Sequence, residues 1–301
     1  GKTAGFTLPI LHRLSDKSVK GPSSGRPPIR ALILVPTREL ATQVEESVQE
    51  YGKYLKLNSM TMIGGVSINP QITRLKSRVD ILVATPGRLL DHVQQRTLDL
   101  SHVEILVLDE ADRMLDMGFI RDIRKIVQHL PPKRQTMFFS ATMPAEIRQL
   151  ADTMLHNPAV VQVAPVATPI ELIEQSVYFV EKRNKPQLLA HLVNDLPMTR
   201  AIVFTRTKHG ADKVVRHLHA RGIRSEAIHG NKSQNARERA LANFRANKIP
   251  VLVATDIASR GIDIDGVTHV VNYDLTYVPE TYGHRIGRTA RAGASGAAVA
   301  A

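Results

Sequence analysis

The sequence predicts an α/β protein of two domains, each a mostly parallel sheet flanked by helices, and three observations carry that reading. Short β-branched runs alternate with stretches of helical apolar spacing, the pattern of parallel strands joined by crossover helices. The runs fall into two sets, separated by a proline-bearing stretch of little periodicity. A length of 301 residues is long for one compact unit and comfortable for two of about 150.

The first set of expected strands runs Ala31 to Val35, Asp80 to Ala84, Glu104 to Leu108 and Thr136 to Phe139. The second runs Val177 to Val180, Ala201 to Phe204, Glu226 to Ile228, Val251 to Ala254 and His269 to Val271. A crossover helix is expected over Lys208 to Arg221, because Ala211, Val214, Val215 and Leu218 fall at helical spacing and Gly222 supplies a stop. Lys213 and Arg216 then read as part of its solvated face. With Pro165 and Pro169 marking a linker over 165–174, the domains become 1–164 and 175–301.

Composition narrows the function classes. Apolar residues make up 43% and charged residues 23%, near the globular average, and no apolar run approaches the roughly 18 residues that cross a membrane. A soluble protein is expected. The absence of cysteine excludes disulfides, thiolate zinc sites and cysteine nucleophiles, and it suits a reducing, cytoplasmic setting. The 12 histidines show no paired spacing of a metal site. The chain starts at Gly1 without an initiator methionine or a basic-then-apolar leader, so this is not expected to be its natural start. A net charge of +12 and a pI near 10.1 favour a polyanionic partner. The surplus is local, since residues 201–250 hold 11 Lys or Arg against 3 Asp or Glu.

The polar signatures follow the strands. ALILV runs into PTREL, DILVA into TPGR, EILVL into DEAD, TMFF into SAT, AIVF into TRTK, EAI into HGN, and VLVA into TDIASRGID. Open parallel sheets place their ligand crevices at the carboxyl ends of strands, so with two sheets the cleft between them is the expected site.

Individually these residues allow more than one chemistry. Gly1, Lys2 and Thr3 read either as the end of a phosphate-binding loop, with lysine on the β and γ oxygens and threonine on magnesium, or simply as a helix start. Asp109 and Glu110 read as a metal-binding carboxylate and a water-orienting one, or as capping and dipole partners of the next helix. Arg285, Arg288 and Arg291 recur every three residues, a spacing that aligns guanidinium groups along a helix. Such a row serves phosphoryl transfer, a salt-bridge row or a general phosphate face.

The ordered set decides among them. PTREL at 36, GG at 64, TPGR at 85, VLDEAD at 107, SAT at 140, ATDIASRGID at 254 and HRIGRTARAG at 284 resemble the motifs of the DEAD-box RNA helicases in order and approximate spacing, over nearly the whole chain. DEADRMLDMGF, FTRTKHGA and AIHGNKSQ look most like the bacterial RhlE subgroup. The resemblance implies two RecA-like domains with ATP in the interdomain cleft, and an enzyme that hydrolyses ATP to ADP and phosphate while opening short RNA duplexes without sequence specificity.

Residue by residue, the resemblance implies that Gly1, Lys2 and Thr3 bind ATP phosphates, with Thr3 and Asp109 on Mg²⁺, and that Glu110 positions the attacking water. Asp263 would meet the ribose, and Arg288 and Arg291 the γ-phosphate. Ser140, Thr142, Asp112 and His284 would couple hydrolysis to duplex opening. Thr37, Arg38, Gly65, Thr85, Pro86, Arg88, Gly230, Arg237 and Thr255 would contact RNA, residue types suited to phosphate and 2′-hydroxyl groups in a chain with only 4% aromatics. Expected partners are single-stranded RNA, short duplexes and ribonucleoprotein or RNA-decay factors, with no membrane and a monomeric state.

Two departures stand out. The upstream glutamine motif and the first part of the phosphate loop are absent from the sequence, and Ala290 stands where the family usually has glycine. The first domain is thus expected to be truncated at its start, the chain as given inactive, and the closing strand of the second domain missing. A DNA translocase of the same superfamily and a non-enzymatic RNA clamp remain the alternatives.

Overall fold

The computed structural model describes residues 2–15, 28–162, 173–196, 198–259, 264, 266–290 and 296–301, with backbone alone at 257, 259 and 280. The chain divides into two compact units, Gly1–Val160 and Val161–Ala301.

In the first unit, helix α1 (Lys2–Ser15) precedes β1 (Ala31–Leu34), α2 (Arg38–Tyr51), β2 (Ser59–Met62), α3 (Asn69–Arg74), β3 (Ile81–Ala84) and α4 (Pro86–Gln94). Then follow β4 (Ile105–Leu108), α5 (Ala111–Asp116), α6 (Ile120–Val127), β5 (Gln135–Phe138) and α7 (Ala145–Met154). The five strands form one parallel sheet in the order β2-β3-β1-β4-β5. Alternate residues of a strand face opposite sides, so a strand covered on both sides is apolar throughout. Leu32, Leu34, Leu82, Leu106 and Leu108 accordingly pack on Leu89, Met114, Ile123 and Ile147. Ala31, Ile33, Ile81, Val83 and Val107 meet Phe6, Ile10 and Leu14 of α1 and Val44 of α2 on the other face. The edges differ from this interior. In β5, Gln135 is exposed and the rest half-buried, and in β2 the burial alternates. Strand β2 was not expected, since SMTM carries no β-branched run; it forms because Met60 and Met62 are buried while Ser59 and Thr61 stay half-exposed.

The second unit contains β6 (Ile173–Val177), α8 (Lys185–Asp195), β7 (Ala201–Thr205), α9 (Lys208–His219), β8 (Ser225–Ile228) and α10 (Gln234–Arg245). It continues with β9 (Val251–Thr255), α11 (Asp256–Ser259), β10 (His269–Asn272), α12 (Pro279–Ile286) and β11 (Gly296–Ala300). Its parallel sheet runs β6-β11-β10-β7-β9-β8. Helix α9 starts where expected and ends two residues early, at His219: Thr207 accepts the Gly210 N–H at its start, and Gly222 takes φ +74° beyond its end.

Two expectations fail here. The strand placed at Val177 to Val180 lies earlier, because Ile173 through Val177 pair with Gly296 through Ala300 and Ile173 is the buried anchor, whereas Phe179 is fully out in solvent. It therefore takes in Ile173 and Glu174 from the expected linker, of which 165–172 lie outside the described residues. The strand thought missing is present: Gly296–Ala300 sits between β6 and β10, its Ala298, Val299 and Ala300 buried.

Candidate functional site

Parallel pairing brings every strand's carboxyl end to one edge of its sheet, and in the first unit that edge gathers the polar signatures. Asp109 continues β4, its N–H donating to the Leu34 carbonyl at 3.0 Å. Its side chain is buried, faces Lys2 Nζ at 3.8 Å, and its Oδ1 accepts no hydrogen bond among the described residues. Burial pushes the Asp109 carboxyl up, against the pull of Lys2 and with help from the neighbouring Glu110 and Asp112 charges. Thr3 follows Lys2 on α1, while Gly1 lies outside the described residues.

Glu110 takes φ 55°, ψ 52°, a left-handed conformation that costs an L-residue about 1–2 kcal/mol. Hydrogen bonds from the neighbouring residues hold the turn. Ala111 N–H donates to the Phe139 carbonyl at 3.0 Å and Asp112 N–H to Ser140 Oγ at 3.1 Å. Glu110 Oε2 accepts from Arg113 Nη1 at 2.6 Å, a partner with no place in the sequence reading. Asp112 Oδ2 accepts from both the Thr142 N–H and the Thr142 hydroxyl at 3.0 Å, and Ser140 Oγ donates to the Thr142 carbonyl at 2.7 Å. The DEAD and SAT segments are thus one hydrogen-bonded piece.

A second group sits at the ends of β1, β2 and β3, which are neighbours in the sheet. Thr37 caps α2, its hydroxyl accepting the Leu40 N–H, and Arg38 is the helix's first residue. Gly65 takes φ +77°, and a Cβ there would overlap the Arg38 guanidinium. Arg88 Nη2 donates to the Val66 carbonyl at 2.8 Å. Thr85 and Pro86 open α4, with proline at the first helical position where its missing N–H costs nothing. The structure brings these six residues together.

In the second unit, Thr255 ends β9 and the exposed Gly230 follows the adjacent β8, while Arg237 is buried on α10. The expected helical row of arginines does not form. Helix α12 stops at Ile286, so Arg288 lies past it in a turn, donating from Nε to the carbonyl of the exposed His284 at 3.3 Å. Arg285 is buried and structural: its Nε and Nη2 fork onto Asp256 at 2.6 and 2.7 Å, Nη1 reaches Asn272 Oδ1, and the group lies 5.1 Å from the centre of the Phe204 ring. Arg291 and Asp263 lie outside the described residues.

A family model described as DEAD/DEAH box helicase matches residues 1–150, and one described as helicase conserved C-terminal domain matches residues 184–293. The chain belongs to the DEAD-box helicases. It is 46% identical over 301 residues to the ATP-dependent RNA helicase CshA of Listeria monocytogenes, covering 99% of this chain and 56% of that protein. It is 43% identical over 299 residues to CshA of Geobacillus kaustophilus, covering 99% and 62%. The chain thus spans about three fifths of the length of these relatives. Among solved structures, S. cerevisiae Dbp5 bound to RNA and ADP BeF3 is 33% identical, with a TM-score of 0.84 over 100% of this chain and 76% of that one. A DEAD box protein from Methanococcus jannaschii is 38% identical, with a TM-score of 0.50 over 100% and 78%. The two parallel sheets flanked by helices match the two RecA-like domains of such helicases.

Membership in this family makes Ala290 legible. Its φ is +52°, in the left-handed region that glycine enters freely, so this chain carries strain where the DEAD-box pattern has none. Among the described residues no helix is long and apolar enough to cross a membrane.

Proposed function

We propose that this chain is the two-domain motor of an ATP-dependent RNA helicase, which hydrolyses ATP and opens short RNA duplexes without reading their sequence. One observation carries the reading. The carboxyl edge of the first sheet holds the Arg38–Gly65–Arg88 group after β1, β2 and β3, the Lys2–Asp109 pair after β4, and beyond it, after β4 and β5, the Asp112–Thr142–Ser140 network that joins the DEAD and SAT segments. A network of this kind relays a change at Glu110 into movement of the SAT segment. The Dbp5 structure, with RNA and a nucleotide analogue on a chain of the same fold, supports RNA as the polymer.

In this reading Gly1, Lys2 and Thr3 hold ATP phosphates, Asp263 the ribose, and Arg288 and Arg291 neutralise charge on the transferring phosphoryl group. Glu110 orients the attacking water and takes its proton. Among the described residues no three His, Asp or Glu form a metal cluster, which suits magnesium, an ion held by one or two carboxylates together with phosphate and water. Asp109 fits, having a buried oxygen that accepts no hydrogen bond beside a lysine, and Thr3, next to that lysine in sequence, would assist. Mg²⁺ held there by Asp109 and Thr3 would offset the negative charge of the phosphates. His284 joins Ser140, Thr142 and Asp112 in coupling hydrolysis to RNA.

Thr37, Arg38, Gly65, Thr85, Pro86, Arg88, Gly230, Arg237 and Thr255 contact the RNA backbone. The RhlE-like wording of DEADRMLDMGF supports the finer subgroup, although the Listeria and Geobacillus relatives carry the name CshA. A cytoplasmic monomer acting on single strands and short duplexes, alongside ribonucleoprotein or RNA-decay partners, completes the proposal. The test is phosphate release with and without RNA, on this chain and on a version extended upstream to a full phosphate loop. RNA-stimulated release by the extended version is the expected result, and release indifferent to RNA would overturn the reading.

A further inference from the structure

The second unit carries an acid–base cluster that none of these roles uses. Asp212 on α9 has its Oδ1 3.1 Å from His229 Nε2 and 2.9 Å from Lys232 Nζ. His229 follows β8 directly and is 2% exposed, and its Nδ1 accepts the Asn231 N–H at 3.3 Å. With Nδ1 accepting, the ring proton of a neutral imidazole sits on Nε2, which lies within ion-pair distance of the carboxylate but outside hydrogen-bond geometry. Asn231 Oδ1 in turn accepts from Lys208 Nζ at 3.1 Å, and the Lys232 N–H donates to the His229 carbonyl at 3.0 Å. Burial works to raise the Asp212 carboxyl, but the Lys232 ammonium and the His229 ring beside it hold it below its ordinary value. The loop 229–232 is therefore tied to the first two turns of α9 at Lys208 and Asp212, and Gly230 is the exposed residue in its middle.

We infer that His229 and Asp212 are a positioning pair that presents the Gly230 loop to an RNA backbone without touching it. This rests on the RNA-binding reading of Gly230. A glycine admits a phosphate close to its backbone only when the loop is already held, because a loose loop loses more conformational freedom on binding. Charge alone argues the opposite way. An acid beside a polyanion-binding face repels it, so its removal would tighten binding if electrostatics were the whole matter.

The experiment measures affinity of the full chain for a labelled single-stranded oligouridylate across a salt series, with thermal unfolding beside it. Asp212→Ala is expected to weaken binding about fivefold at unchanged unfolding temperature, with a log–log salt slope no shallower than the parent's, because a backbone contact from Gly230 neutralises no phosphate. Asp212→Asn, whose amide oxygen still faces His229 Nε2 and Lys232 Nζ, should stay within about twofold of the parent, since it keeps the polar contacts and loses only the charge. Where Asp212→Ala does not fold, His229→Leu, which removes both the ring N–H and the acceptor for Asn231, should show the same loss. Equal or tighter RNA binding by folded Asp212→Ala, or parent-like binding by folded His229→Leu, would overturn the positioning pair while leaving RNA binding intact. A parent chain that binds no oligouridylate would instead sink the RNA reading and this inference with it.

Discussion

At the carboxyl edge of the first sheet Asp109 faces Lys2 at 3.8 Å across a side chain that is more than half exposed, while at the matching edge of the second sheet Asp256 receives a two-pronged fork from the buried Arg285 at 2.6 and 2.7 Å. Asp212 likewise engages His229 and Lys232. The two edges share a parallel architecture and use their acids differently. The first keeps a buried carboxylate poorly compensated, which costs stability and leaves charge open to a ligand. The second neutralises its acids internally, so that they aim the bases around them.

The largest effect expected from this contrast is on turnover. In a version with a complete phosphate loop, Glu110→Gln should lower phosphate release by about 100-fold or more while ATP and RNA still bind, since the amide cannot take the water's proton. Turnover near the parent's would remove Glu110 from the mechanism.

On the second edge the loss should appear as stability. Arg285→Ala removes the fork onto Asp256 and the bonds to Asn272 and the Asp274 carbonyl, and breaking a buried pair of this kind costs about 3 kcal/mol. Urea unfolding measures it, and a loss under about 1 kcal/mol would place the pair with surface bridges.

The first edge should respond with the opposite sign. Burial raises the Asp109 carboxyl, so the folded chain holds that proton more readily than the unfolded chain. Ionising Asp109 therefore costs stability, a cost absent below the ordinary carboxylate range and growing as pH rises through the raised folded value. Asp109→Asn should unfold at a higher temperature than the parent at neutral pH, with the gain fading as pH falls toward the ordinary range. An equal or lower midpoint at neutral pH would show that Lys2 compensates for burial. The smallest effect is at Ala290, where glycine relieves about 1 kcal/mol of left-handed strain against about 0.5–1 kcal/mol of added unfolded-state freedom. Ala290→Gly should raise the melting temperature by no more than about 2–4 °C, and a fall would show that the methyl's packing with Ile173 and Ile286 matters more than φ.

The interior strands were legible because burial on both faces demands continuous β-branched and leucine-rich runs, as in Ala31–Leu34 and Val251–Thr255. Three strands were not legible in place: at the edges Ser59–Met62 buries only alternate methionines and Ile173–Val177 is mostly exposed, and inside the second sheet Gly296–Ala300 is built of small residues, so the register of the neighbouring strand decides where each lies. The candidate site divides the same way. The order of the motifs was readable, and so was their place after strands.

Sequence by itself determined two parallel sheets, the family, and which segments stand at the carboxyl edges, because hydrophobic period and motif order are properties of contiguous residues. Tertiary structure decided the partnerships: Arg285 with Asp256, Arg113 with Glu110, Thr142 with Asp112, and His229 with Asp212. Three arginines at equal spacing look alike in a chain. Only the packing of α12, which ends before Arg288 and turns Arg285 inward onto Phe204 and Asp256, separates the buried brace from the arginine in the turn beyond it, since a charge's role depends on the groups that folding brings within a few ångströms of it.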